Sequence, residues 1–174
     1  IACAYSDPSL AGWEGYGLAV QAYLKRAPFV IDFIVDLARR TGRRIPMRLV
    51  KGAYWDSEIK KAQTEGLGGY PVFTRKPNTD VSSLACAKRM FDASDALYPM
   101  FATHNAHTIA AAMVAAGNTP FELQRLHGMG EGIYESVVKG TGGGLGDARP
   151  CRIYAPVGDH EDLLGYLVRR LLEN

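Results

Sequence analysis

Cysteine is scarce in this chain. Cys3, Cys86 and Cys151 lie far apart, with no C-x-x-C pair among them. That excludes a disulfide framework and a cysteine-built zinc site, and the expectation is reduced, half-buried thiols of a cytosolic protein. Long apolar runs are missing too: nothing approaches the roughly 18 residues that span a bilayer, and no basic-then-apolar segment opens the chain as a secretory signal would. Neither sign of charge dominates. A net charge of +2 is too small to argue for nucleic acid or an acidic membrane surface. His104 and His107 stand three residues apart without acidic or thiol partners in a recognisable pattern, so no metal site is expected. The glycine-rich stretch 140–146 lacks the G-x-x-x-x-G-K-[ST] order of a phosphate loop and reads as a flexible turn. An initiating methionine is also absent, and a chain that begins at Ile1 is expected to be cut from something longer.

What is present is ordinary in amount and regular in order. The 174 residues, 47% of them apolar, suit one soluble globular domain. Strand-like stretches at 17–23, 45–50, 97–102, 121–126 and 151–155 alternate with helix-like stretches at 28–40, 57–63, 81–91, 106–116, 133–138 and 161–173. The segment 66–80 reads as irregular. Pro28, Arg39, Arg40 and Gly42 supply the boundary signals of the first helix. Five strand-then-helix units imply a parallel sheet. A doubly wound sheet and part of a (β/α)8 barrel both fit; five units would leave a barrel open by about three strands.

The run Arg48-Leu49-Val50-Lys51-Gly52-Ala53-Tyr54-Trp55-Asp56 carries the most chemistry. A β-prone segment breaks at Gly52, and two cations and two aromatic rings surround the break. In α/β proteins ligands sit at the carboxyl ends of strands, so an anionic or flat aromatic ligand is expected there. Gln21, Arg48, His104, Gln124 and Tyr154 each lie within or just after a strand. One such residue is usually a satisfied core group, but a barrel aims five of them at a shared mouth. On the last helix, Leu164, Leu167, Val168 and Leu171 follow the i, i+3, i+4, i+7 pattern of a buried stripe. Tyr166, Arg169, Arg170 and Glu173 share another side. That side is either a solvated face or a clamp for a carboxylate, since paired guanidinium groups offer planar bidentate donors.

With these residues in view, the chain resembles the proline dehydrogenase domains of the bacterial bifunctional proline utilization flavoenzymes. The blocks that carry the resemblance are RLVKGAYWDSEIKKAQ (48–63), GYPVFTRK (69–76), ATHNAHT (102–108), LHGMGE (126–131), RPCRIYAPVG (149–158) and YLVRRLLEN (166–174). The resemblance implies a distorted (β/α)8 barrel that binds FAD, oxidises L-proline to Δ1-pyrroline-5-carboxylate and passes electrons to a membrane quinone. Residues 1–174 then correspond to the C-terminal portion of that barrel, strands four to eight with their helices, shortened at both ends.

By the same resemblance, Arg48 is the catalytic arginine beside the flavin N5 edge. Val50, Lys51, Gly52 and Trp55 match flavin-contacting positions of its loop, and Gln21, Thr74, Arg75, Lys76, Thr79, His104, Gln124 and Glu173 match other FAD positions. Arg169 and Arg170 match the pair that holds the proline carboxylate, with Tyr54, Tyr154, Tyr166 and Leu126 as pocket walls. The implied partners are L-proline, the quinone, the rest of the barrel and a pyrroline-5-carboxylate dehydrogenase domain in the parent chain. The implied setting is cytoplasmic, with peripheral membrane association. Two departures stand out. The family's lysine and aspartate from the early strands have no counterpart here. Lys76-Pro77-Asn78-Thr79-Asp80-Val81-Ser82-Ser83 replaces the usual K-V-Y-T-D-V-S-Y, which removes two aromatics beside Thr79. Two other readings start from the same residues: an inactive incomplete barrel whose open edges self-associate, and a flavin-free barrel enzyme that binds a small phosphorylated anion.

Overall fold

Alternation of short apolar strands with amphipathic helices folds here into one parallel sheet covered by helices. The computed structural model describes residues 1–141 and 148–172. Strands β1 (Leu18–Gln21), β2 (Ile45–Val50), β3 (Leu97–Ala102), β4 (Glu122–Leu126) and β5 (Cys151–Tyr154) follow one another in space as they do in sequence, every neighbour parallel. Helix α1 (Ala2–Tyr5) and a 3-10 turn (Pro8–Leu10) precede them. The other helices are α2 (Ala27–Thr41), α3 (Trp55–Thr64), α4 (Lys76–Asp92), α5 (Ala106–Ala116), α6 (Glu131–Lys139) and α7 (His160–Leu172). A doubly wound sheet reverses its strand order at a switch point. The unbroken order β1 to β5 instead belongs to part of a barrel wall.

Period-two alternation gives the wall two unlike faces. Ile45, Met47 and Leu49 of β2 and Leu97, Pro99 and Phe101 of β3 are buried, while the residues between them are half-buried. The buried set packs against Ile31, Ile34 and Leu37 of α2, Met90 of α4 and Ile109 of α5. Phe91, Phe101 and Phe121 meet with ring centroids 5.2–5.6 Å apart. Each such side chain contributes roughly 1.5–3 kcal/mol by burial. The other face carries Ala19, Arg48, Met100 and Glu122 as one hydrogen-bonded row across β1 to β4. This polar inner face positions the site.

Two expectations are corrected. The segment 76–80 is helical rather than irregular, because α4 begins at Lys76 with Pro77 in its first turn. There the missing proline N–H falls where a helix has no acceptor to offer it. The stripe on α7 is also not buried. Leu164, Leu167 and Val168 are 56%, 39% and 45% exposed, whereas Leu163, Tyr166 and Arg170 are half-buried. Helix α7 turns this second face to the carboxyl ends of the strands, where the Arg170 Nη2 donates to the Ala53 carbonyl at 3.4 Å. No element among the described residues covers the apolar stripe. Glu173, and residues 142–146 of the glycine-rich stretch, lie outside the described residues.

Candidate functional site

At the carboxyl ends of β1 to β5, a cleft of about 340 Å³ opens between the strand ends and α7. Its floor comes from Ala19, Gln21, Arg48 and Val50, its rim from the 51–54 loop, His104, Tyr154, Tyr166 and Arg170. A second cleft of about 300 Å³ lies beyond the same loop, lined by Tyr23, Trp55, Phe73, Thr74, Lys76, Thr79 and Asp80. Lys51 and Gly52 line both.

The loop between the clefts is pinned from two sides. Gln21 Oε1 accepts the Ala53 N–H at 3.2 Å, and Trp55 Nε1 donates to the Phe73 carbonyl at 2.8 Å. Gly52 has φ +144°, and a Cβ there would lie 2.5 Å from the Tyr23 ring. The break read from the sequence is therefore a place where only glycine fits. Lys51 pairs with Asp80 at 2.7 Å, and Lys76 reaches the same carboxylate at 3.1 Å. Burial pushes the Asp80 carboxyl up, but the two ammonium groups outweigh it and hold it below the usual range.

Arg48 and Arg170 line the first cleft, and Arg169 lies against Tyr54 at its rim. The Arg48 guanidinium lies 4.8 Å from the Tyr154 ring centroid. Its Nε is buried with no hydrogen-bond partner among the described residues. Arg170 stacks 4.8 Å from Tyr166 and 5.8 Å from Tyr54, and Arg169 lies 5.1 Å from Tyr54. Tyr54 is thus the ring on which the two adjacent guanidinium groups converge. Aromatic faces hold these planar cations in fixed orientations at the cleft.

His104 follows β3, and its Nε2 accepts the Leu126 N–H at 2.9 Å. That bond assigns the ring proton to Nδ1. Burial lowers the His104 pKa, and the Arg125 and Arg170 charges lower it further, so the ring is neutral at pH 7. Burial likewise raises the Tyr154 phenol above its usual value; Arg48 opposes the rise. Tyr154 is a neutral donor.

Most of the residues singled out in the sequence come together here, some in unexpected roles. Leu126 is fully buried and serves His104 through its backbone rather than lining the cleft. Gln124 is buried, and its Nε2 donates to Glu122. Arg75 is the extended residue that opens α4. The sequence reading missed Asp80, Glu122, Arg152 and Tyr134. Asp80 sits one helical turn after Lys76, a pairing hidden once 76–80 was read as irregular. Glu122 and Gln124 share a strand face by period two, which was a usable signal. The Tyr134 hydroxyl donates to the Thr103 carbonyl at 2.6 Å and approaches the Gln124 carbonyl at 3.1 Å, tying β3 to β4. No local pattern in the sequence announces that contact.

Comparison with known proteins bears on this geometry. A family profile described as proline dehydrogenase matches residues 1–174. The bifunctional protein PutA of Klebsiella aerogenes is 62% identical over 172 residues, which cover 97% of this chain and 13% of that protein. The PutA of Escherichia coli K12 is 60% identical over the same length and shares. Among solved structures, a mutant of Bradyrhizobium japonicum PutA superposes with a TM-score of 0.87 at 55% identity, over 99% of this chain and 17% of that one. PutA from Bdellovibrio bacteriovorus, inactivated by N-propargylglycine, superposes with a TM-score of 0.88 at 35% identity, over 99% and 18%. The chain spans about 13% of the length of these curated relatives.

Proposed function

The chain belongs to the proline dehydrogenase family, and from that membership we propose that its protein oxidises L-proline to Δ1-pyrroline-5-carboxylate with FAD as cofactor. The observation that carries the proposal is the gathering of Arg48 and Arg170, with Tyr54, Tyr154 and Tyr166, around one cleft. Arg169 joins them through Tyr54.

The residues present fit a flavin nucleotide. Arg48 brings a buried donor with no partner, and no carboxylate pairs with it among the described residues. Such a group complements an electron-rich ring edge. Gly52 lines both clefts, and an extended ligand would pass over its backbone from one to the other. The second cleft combines Trp55 and Phe73 with Lys76, Thr74 and Thr79, a set suited to a nucleotide arm. Arg48, Val50, Lys51, Gly52, Gln21, His104 and Gln124 would then hold the ring system. Trp55, Thr74, Arg75, Lys76 and Thr79 would hold the rest.

FAD, when bound, supplies a two-electron acceptor for the hydride that leaves proline C5. The chain's own residues bind and orient. Arg169 and Arg170 grip the proline carboxylate, and stacking on Tyr54 and Tyr166 limits their freedom, so that orientation is settled before reaction. The aromatic walls exclude water and strengthen these charge contacts. Neutral Tyr154 and His104 offer donors without adding charge. No described side chain stands ready as a general base, since Asp80 and Glu122 are held in ion pairs. Proline accordingly reacts as its neutral amine. In the same reading electrons pass on to a membrane quinone. The remaining polypeptide completes the barrel and carries a pyrroline-5-carboxylate dehydrogenase domain, and the protein works in the cytoplasm with peripheral membrane contact.

A single spectrum tests this. The full-length protein should carry a flavin band that bleaches when L-proline is added without oxygen. A folded protein that stays colourless after incubation with FAD, or a yellow one that L-proline does not bleach, overturns the proposal.

A further inference from the structure

Glu122 is a buried carboxylate that the proposed reaction does not use. It is 5% exposed, and Gln124, two residues on along β4 and on the same face, is 6% exposed. Glu122 Oε1 accepts from Gln124 Nε2 at 2.8 Å and from Arg152 Nε at 2.8 Å, while its Oε2 accepts from Arg152 Nη2 at 2.9 Å. Gln124 Nε2 also reaches Met100 Sδ at 3.3 Å.

These contacts leave the Gln124 amide one orientation. An ionised carboxylate only accepts, so the amide must turn its NH2 toward Glu122. Flipping it would set two acceptors against each other in a buried place. It would also strand the amide, at about 1–3 kcal/mol. The bidentate fork of Arg152 keeps the Glu122 oxygens in place and the group ionised. Both Gln124 Nε2 donors are thereby spent on Glu122 and Met100, and no donor among the described residues meets Gln124 Oε1. In the β-ladder Gln124 lies beside Ala102, which lines the first cleft. By register its side chain shares the inner face of the sheet with Ala102, one strand beyond that cleft's lining.

We infer that Glu122, locked by Arg152, is a positioning residue that fixes Gln124 as a hydrogen-bond acceptor for the cofactor in the first cleft. The ligand group it takes is an N–H or O–H, never a carbonyl. This inference rests on the flavin reading above, and Gln124 is the residue through which Glu122 acts.

A double-mutant cycle in the full-length protein tests it, with the FAD dissociation constant and the thermal midpoint of the apoprotein measured for each member. Glu122→Gln permits the Gln124 amide to flip and should weaken FAD about tenfold, the loss of one hydrogen bond from a buried acceptor; it also lowers the apoprotein midpoint, because Arg152 loses its charged partner. Gln124→Leu should weaken it at least as much. Adding Glu122→Gln to Gln124→Leu should then change affinity less than about twofold. Arg152→Lys keeps the charge but breaks the fork. Its side chain is 67% exposed, so it guards against a folding failure of Glu122→Gln; it should weaken FAD in the Gln124 background and not in the Leu background. Single variants within twofold of wild type, or losses that multiply in the double variant, overturn the inference. A wild-type protein that binds no FAD overturns the flavin reading itself, a different and distinguishable result.

Discussion

Gly52→Ala is the substitution whose consequence the structure sets most sharply. At φ +144° an alanine is forced into a region that L residues rarely adopt, worth about 1–3 kcal/mol of strain. Its Cβ would also lie 2.5 Å from two carbons of the Tyr23 ring and 2.7 Å from a third. Tyr23 is 3% exposed and cannot retreat; overpacking of this kind adds about 1–3 kcal/mol. The sum, about 2–6 kcal/mol, should lower the thermal midpoint by roughly 5–20 °C in a domain of this size. Two glycines calibrate the result. Gly42 ends α2 at φ +62° with nothing within 4 Å of a new Cβ, so Gly42→Ala should show only a conformational cost of about 1 kcal/mol. Gly68 has open space and no positive φ, so Gly68→Ala should be neutral within about 0.5 kcal/mol. Circular-dichroism melting gives the order, and FAD titration should show that only Gly52→Ala weakens binding, since Gly52 lines both clefts. The steric part can be isolated: Gly52→Ala should be milder in a Tyr23→Leu background than in wild type. Equal midpoints for Gly52→Ala and Gly42→Ala, or no relief from Tyr23→Leu, would refute the reasoning.

Arg170→Lys removes a planar fork stacked between Tyr54 and Tyr166; KM for L-proline should rise roughly 10–100-fold, the worth of one or two charge-assisted hydrogen bonds, with kcat changed far less in steady-state assays. His104 titrates below its ordinary range in the folded state, so the unfolded chain takes the proton first. Its contribution to stability is whole above about pH 6.5 and shrinks as pH falls. Urea midpoints between pH 7.5 and 5 should show that slope in wild type and lose it in His104→Gln, which keeps an acceptor for the Leu126 N–H without titrating there. Asp80 behaves in the same sense at lower pH: its folded value lies below that of the unfolded chain. Its contribution is present above about pH 4 and disappears as pH falls through the lower folded value. Asp80→Asn should therefore lower stability at pH 7 by less than about 1 kcal/mol, since the group is partly exposed, and match wild type near pH 2 in acid-unfolding curves.

The residues alone determined a good deal. Short apolar, β-prone stretches marked all five strands, and Pro28, Arg39, Arg40 and Gly42 marked α2, because propensity and boundary chemistry act over a few neighbouring residues. The 48–56 run stood out as a candidate site for the same local reason, two cations and two rings about a glycine, and its residues line both clefts. Tertiary structure alone decided whether the sheet was doubly wound or a barrel wall, since only hydrogen-bonded strand order separates them. It also decided which face of α7 turns inward. Periodicity identifies an apolar stripe but not what lies against it, and here the Tyr166 and Arg170 side meets the strand ends. Burial and distance likewise lie beyond any local pattern. They made His104 neutral, placed a ring against Gly52, and set Glu122 beside Gln124 and Arg152, which contact only once the strands have paired.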